Sequence, residues 1–377
     1  MRCQLAKVLV TARGVVAVRI IRACKDLGFE TVAVYDDADV WAPHAKLADE
    51  AYSLAHPGGY EDIEPLINVA IRSGSDAIHP GDGSLALDAA AAATVRQHGL
   101  TWIGASADPP IRRPTAGAGQ VRWPPRRARV DLLAGTARTV AVGARVVAAS
   151  RRGIPVATHS APRNLADELR KQARAAAGEL GLRGYAVAEF GRLDAGDWWF
   201  LGMSTRLTSD HAVIEEQTGV DIVAAQLALA FDPSVALPRP FRDDWAFGFA
   251  IEAEDRARGA LRAGGVVRSF RLPSGPGVRV DSAIGQGQAI TPSRDNRLAF
   301  VTVRARTEAQ ARERLVRAAR EISVQGVATT AWLPGTAGRD ADPDFTDATP
   351  DTGIVPLDVR GGGWSVRFAV PLGGSGA

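Results

Sequence analysis

Residues 7–107 alternate between short apolar runs that end at glycine and stretches whose apolar residues recur at helical spacing. "AKVLVTARG" is an apolar strand ending at Gly14, and "VVAVRIIRACKDLG" has helical spacing and stops at Gly28. "FETVAVYDD" is the next strand, "DIEPLINVAIRSG" a helix, and "SDAIHPGDGS" a strand with a glycine-rich end. "LDAAAAATVRQHG" and "LTWIGAS" repeat the helix–strand step. A strand that buries both faces needs helices above and below it, so this alternation predicts a doubly wound α/β unit over residues 1–107. Such a unit offers a ligand site at its strand ends. No GxGxxG opens the first helix, which argues against a dinucleotide.

The alternation breaks at 108–129. "DPPIRRPTAGAGQVRWPPRRAR" holds five prolines among its arginines and is expected to be a linker. Residues 130–160 read as short strands and turns, and "NLADELRKQARAAAGELG" (164–181) as a helix with Asn164 as N-cap. From about 241 the chain is strand-rich up to the helix "EAQARERLVRAAREIS", and 241–345 reads as an α+β unit. Residues 346–377 read as a two-stranded tail with a flexible end.

Composition excludes several function classes. Of 377 residues, 46% are hydrophobic and 23% charged, an ordinary globular balance. No apolar run approaches the roughly 20 residues that span a bilayer, and the charged N-terminus does not read as a signal peptide. Cys3 and Cys24 provide neither metal spacing nor a disulfide framework, so a cytoplasmic location is expected. A net charge of +3 gives no reason to expect nucleic acid. Only Lys7, Lys25, Lys46 and Lys171 are lysines, which limits any chemistry needing a mobile ammonium on phosphate.

Residues 185–227 carry the densest chemistry. A strand bearing Glu189 turns into "WWFLGMSTR", and a run holding Arg206, Asp210, His211, Glu215 and Glu216 leads into a helix. Glu189 is either a metal-binding acid or a strand acid satisfied by a neighbouring arginine. His211, beside Asp210, is either an acid–base group or a structural histidine.

These segments resemble the biotin carboxylase component of biotin-dependent carboxylases, an ATP-grasp family. "KVLVTARGVVAVRIIRACKDLGFETVAVYDDAD", "HAKLADEAYSL", "SDAIHPGDG" and "LTWIGAS" are similar to the family's N-terminal domain in order and spacing. "GMSTRLTSDHAVIEEQTGVDIVAAQL" is similar to its signature segment, and "PSGPGVRVDS" and "VQGVATTAWL" to its C-terminal domain. The resemblance implies a biotin-carboxylase-like α/β fold: an N-terminal doubly wound domain (1–107), a truncated ATP-grasp core (130–240) and a C-terminal α+β domain (241–345). It also implies that Pro/Arg-rich 108–129 replaces the ATP-grasp lid, whose glycine-rich loop would cradle phosphates.

The departures from the family are as informative as the matches. No lysine lies between Lys46 and Lys171, where the family places phosphate-binding lysines, and "SRRGIPVATHS" has none for the carboxylation site. Of the metal ligands the resemblance implies, Glu189 matches the first acid, while the second acid falls on Gly202 and an asparagine on Ser204. The family's "HPGYGFLSEN" reads "HPGDGSLALD", with Asp82, Ser84 and Leu87 in place of two aromatics and an acid, and Ala12 and Val15 replace an Asn and a Glu. ATP, magnesium and biotin binding are therefore expected to be lost, with no cofactor retained.

Three residues of the family's bicarbonate and biotin corner keep their type: Arg206, Asp210 in place of a glutamate base, and Arg279. They form either a residual anion site or a structural ion-pair network between domains. The resemblance thus implies an inactive homologue serving as a structural or regulatory subunit, with an active biotin carboxylase paralogue, a biotin carrier protein or a carboxyltransferase as partner. The alternative is an ATP-independent enzyme that uses the residual corner for carboxyl transfer or decarboxylation. Arg19 and Asp295 match positions near the family's dimer interface, so a homo- or mixed dimer is expected. Met1 and Met203, neither flanked by lysine, rule out the carrier signature of a lysine between methionines.

Overall fold

The computed structural model describes residues 6–37, 39–54, 58–105, 126–151, 154–192, 197–255, 261–292, 296–330 and 345–347. The N-terminal unit is a five-stranded sheet of β1 (Lys7–Val10), β2 (Glu30–Tyr35), β3 (Glu50–Ser53), β4 (Ala77–His79) and β5 (Thr101–Trp102), in the order β3-β2-β1-β4-β5. All four pairings are parallel. Helices α1 (Gly14–Asp26), α2 (Pro43–Leu47), α3 (Ile63–Ser73) and α4 (Ala89–Gln97) connect the strands. Side chains alternate across β1. Val8 and Val10 pack with Val16, Ala17, Ile20 and Ile21 of α1, whereas Leu9 packs with Leu66 and Ile67 of α3 and Val95 of α4. Asp62 caps α3 through the Glu64 amide, and Asp88 caps α4 through the Ala90 and Ala91 amides.

The rest of the described chain is built on one nine-stranded antiparallel sheet. Its strands include β6 (Arg126–Ala134), β7 (Thr139–Arg151), β8 (Ile154–Ser160), β9 (Gly184–Arg192), β10 (Trp199–Ser204) and β11 (Trp245–Glu252). The order is β10-β9-β6-β7-β8-β11, followed by strands Arg297–Ala305 and Val278–Ser282, with Phe345–Asp347 added beside the end of β7. β8 pairs with β11, so the sheet passes without a break from the core segment into the C-terminal segment. Helices α5 (Arg163–Glu179), α6 (His211–Thr218), α7 (Ile222–Phe231) and α8 (Glu308–Glu321) pack on it.

Three local expectations are corrected. Residues 126–129, assigned to the linker, form the start of strand β6, because Ala128 and Val130 face the α5 side and are fully buried there. The rest of the linker, 108–125, lies outside the described residues, as do Cys3, Asp295 and the tail beyond Asp347. Residues 126–160 make three long strands rather than short ones; β7 alone has 13 residues. Helix α5 starts at Arg163, one residue ahead of Asn164, behind Pro162 and with no side-chain cap. Proline's fixed φ prepares the first turn, so no polar cap is required.

The two sheets meet through α1, α6 and α7. Leu133, Val142, Tyr185 and Val187 of the large sheet share a buried cluster with Val16, Ile20 and Ile21 of α1, Ile214 of α6 and Val223 of α7.

Candidate active site

β6 alternates strictly. Ala128, Val130 and Leu132 point to α5, and Arg127, Arg129 and Asp131 point to the opposite face, so three charged side chains are carried into the interior. The strand register sets their neighbours. Gly202 of β10 lies opposite Glu189 of β9, Glu189 opposite Arg129 of β6, and Arg129 opposite Arg145 of β7. Above this row sits Asp210, just ahead of α6, at 1% exposure. Thr208 and Ser209 supply carbonyls to the first amides of α6, so the Asp210 carboxylate is not used as a cap and is free to face the sheet.

The polar groups there bond one another. The Arg129 guanidinium donates to Glu189 at 2.6 Å and, on its other arm, to Asp210 at 3.4 and 3.5 Å. Arg145 donates to Asp210 at 2.8 Å and is also bonded to Asp131, which accepts a 2.7 Å bond from the Tyr185 hydroxyl. Arg145, Asp131 and Tyr185 are fully buried. Burial works against ionisation of Asp210, but Arg145 and then Arg129 outweigh it and hold the carboxyl well below the usual carboxylate range. Such a base is permanently ionised and already bonded, which is the reverse of a carboxylate poised to take a proton near neutral pH.

Arg279 belongs to a second cluster. It donates to Glu215 at 2.6 Å and, through Nε, to Asp281 at 3.0 Å. Glu215 also accepts from Arg19 at 3.1 Å and from the Ile222 amide of α7 at 2.7 Å. Burial opposes the charge of Glu215, and Arg279, foremost among its charged neighbours, keeps it ionised far below its ordinary value. His211 is 1% exposed, its Nδ1 is 2.9 Å from the Thr208 carbonyl and its Nε2 is 3.5 Å from Glu215. Burial pushes its pKa down, so it stays neutral.

The structure therefore divides the expected corner. Asp210 is bonded to Arg129 and Arg145, Arg279 to Glu215 and Asp281, and half-buried Arg206 lies on the loop between β10 and α6. Arg19, expected near a subunit interface, is 8% exposed and bonded within the chain to Glu215 and Asp221 at 2.6 Å. It lies on the α1 face turned toward α6 and α7. Sequence reasoning missed Arg129, Arg145, Asp131 and Tyr185; charged residues at alternate positions of an apolar strand, "RARVDLLA", were the available signal.

A divalent cation does not fit this donor set. The position facing Glu189 is Gly202, which has no side chain, and the Glu189 carboxylate already holds a guanidinium. Among the described residues no three acids, histidines or cysteines are arranged to hold a metal ion.

Comparison with known proteins places this geometry. Residues 4–109 match the biotin carboxylase N-terminal domain, 249–356 the biotin carboxylase C-terminal domain, and 151–236 the ATP-binding domain of the carbamoyl-phosphate synthase large chain. The biotin-dependent acyl-coenzyme A carboxylase alpha3 subunit of Mycobacterium leprae is 31% identical over 86% of this chain and 70% of its own length. The chain belongs to the biotin carboxylase family. Biotin carboxylase 1 of Bacillus subtilis is 28% identical over 86% of this chain and 92% of its own. The biotin carboxylase domain dimer of Hydrogenobacter thermophilus 2-oxoglutarate carboxylase, solved with MgADP, ADP and bicarbonate, superposes with a TM-score of 0.78 at 25% identity, covering 86% of this chain and 92% of that one. This biotin carboxylase relative has a truncated lid region: its N-terminal match ends at 109 and its ATP-binding match begins only at 151.

Proposed function

We propose that this biotin carboxylase relative has no ATP-dependent carboxylase activity and serves as a structural or regulatory subunit of a biotin-dependent, acyl-CoA-type carboxylase complex. The observation that carries this reading is the bonding of Glu189 by Arg129 and of Asp210 by Arg129 and Arg145. A carboxylate bonded to a fixed guanidinium is not available for a nucleotide's cations, and phosphoryl transfer relies on those cations to neutralise developing charge. The truncated lid supports the same reading. Its natural partners are an active biotin carboxylase paralogue, a biotin carrier protein or a carboxyltransferase, in the cytoplasm, with a homo- or mixed dimer as the assembly unit.

The deciding assay measures ADP release by the full chain with MgATP, bicarbonate and free biotin. No bicarbonate-dependent rate above the enzyme-free background is expected. A bicarbonate-dependent rate abolished by Glu189→Gln would overturn the reading. Purification of the tagged chain at native level is expected to recover a biotinylated carrier or a carboxyltransferase in stoichiometric amount. Recovery of the chain alone would point to independent chemistry instead.

A further inference from the structure

Three carboxylates, Asp131 of β6, Glu189 of β9 and Asp210 ahead of α6, face Arg129 and Arg145 over the inward side of the sheet. Buried carboxylates need a compensating cation, and a group of oxygen donors is what a hard divalent ion takes. Here the charge is balanced from within the chain. Arg129 stands between Glu189 and Asp210, one arm on each, so a single guanidinium joins two carboxylates from different elements, as a bridging cation would. The register fixes it there: Arg129 is directly opposite Glu189 across the β6–β9 ladder. Arg145 is bonded to both Asp131 and Asp210, and Arg127, buried on the same face of β6 and within electrostatic reach of Glu189 and Asp210, brings the guanidiniums to three against three carboxylates. A planar fork with several donors suits this task, whereas a lysine ammonium would present one point charge.

We propose that Arg129 is an intramolecular counterion that holds a cation position between Glu189 and Asp210, so that this part of the cleft actively excludes divalent ions. It rests on the reading that the chain does not run metal–nucleotide chemistry, and adds a cause. The exclusion comes from a positive group already seated in the site, beyond the loss of a ligand at Gly202. Removing that group recreates a demand for a cation at Glu189.

The test is Mn2+ binding by the full chain, followed through the electron paramagnetic resonance signal of free Mn2+, for wild type, Arg129→Met, Glu189→Gln and the double variant. Wild type and Glu189→Gln are expected to show no site. Arg129→Met is expected to gain binding at least tenfold tighter than wild type and a melting temperature that rises with Mn2+. The double variant is expected to lose that gain and to recover melting temperature without metal, because both charges of the pair are gone. Wild-type Mn2+ binding that disappears in Glu189→Gln overturns the proposal, as does Arg129→Met folding normally with no gain. If Arg129→Met does not fold alone, folding of the double variant supports the charge pairing, and failure of both overturns it. The outcomes separate from the functional reading. Wild-type Mn2+ binding at Glu189 without ATP cleavage defeats the counterion alone, while bicarbonate-dependent ATP cleavage defeats both.

Discussion

Glu215 is the most heavily used side chain of the site region. It receives Arg19 and Arg279, and it caps α7 through the Ile222 and Val223 amides. At 5% exposure its charge is sheltered from solvent, so its removal takes one carboxylate from each of two buried guanidiniums and leaves Arg19 with Asp221 and Arg279 with Asp281. Glu215→Gln is expected to lower unfolding free energy by about 3–5 kcal/mol, the range for breaking a buried ion pair by deleting one partner; urea titration at pH 7 checks it. The buried histidines set the pH dependence. Burial depresses His79 to about 3, and it lowers His44, His159 and His211 as well. In the unfolded chain these groups protonate near 6.5. Between 6.5 and the depressed folded values the unfolded state therefore binds more protons, and stability falls as pH falls. Each such histidine contributes up to about 1.4 kcal/mol per pH unit in that window. Stability is thus expected to drop from pH 7 to pH 5, before Asp210 and Glu215 begin to protonate even in the unfolded state. His79→Asn, whose amide oxygen can take over the 3.0 Å bond that Nδ1 accepts from the Gly81 amide, is expected to flatten the slope measured by urea midpoints across that range.

At the scale of elements, α6 is the junction of the chain. The loop ahead of it is tied to the sheet by Arg145 on Asp210 and to strand Arg297–Ala305 by Arg297 on Ser209. Its far end takes Arg19 from α1 and Arg279 from strand Val278–Ser282 on Glu215, and Arg304 on Glu216 at 2.9 Å. This eight-residue helix and the loop ahead of it thus join the N-terminal unit, the core strands and the C-terminal strands by charge-assisted bonds from five other elements. The loop between β10 and α6 also docks on the N-terminal unit, where the Leu207 amide donates to the Gly81 carbonyl at 3.3 Å. Gly81 has φ +64°, and a Cβ there would stand 2.3 Å from the Cβ of buried Ala12. Gly81→Ala is expected to cost about 2–4 kcal/mol by combining left-handed strain with overpacking, read as a lowered thermal midpoint. Because the contact is backbone against a core methyl, no side-chain rotation relieves it.

Over the whole molecule, the biotin carboxylase scaffold is present, and Glu189 and Asp210 within it are bonded to arginines of the same chain. Both halves of the chain match biotin carboxylase domains, and the sheet is continuous through the segment with the truncated lid. The five-stranded unit and the nine-stranded sheet are held against each other by the cluster of α1, α6 and α7 and by the arginine network around Glu215. Both contacts are made by side chains of the chain itself. Among the described residues no helix is long and apolar enough to cross a membrane.

The sequence by itself determined the N-terminal architecture, because glycine-bounded apolar runs alternating with helical periodicity admit few folds other than a doubly wound parallel sheet. It also marked Glu189, Asp210 and Arg279 as charges too many for a plain core, and it showed Gly202 where a second acid would stand. It could not say which charge meets which. Arg129 and Glu189 are 60 residues apart, Arg145 and Asp210 are 65 apart, and Arg19 and Glu215 are 196 apart. Strand register and helix docking bring these pairs together, and no local periodicity encodes them. Ion pairing is decided by which side chains share a buried volume, so only the tertiary structure turned three apparent site residues into members of two separate ion-pair networks.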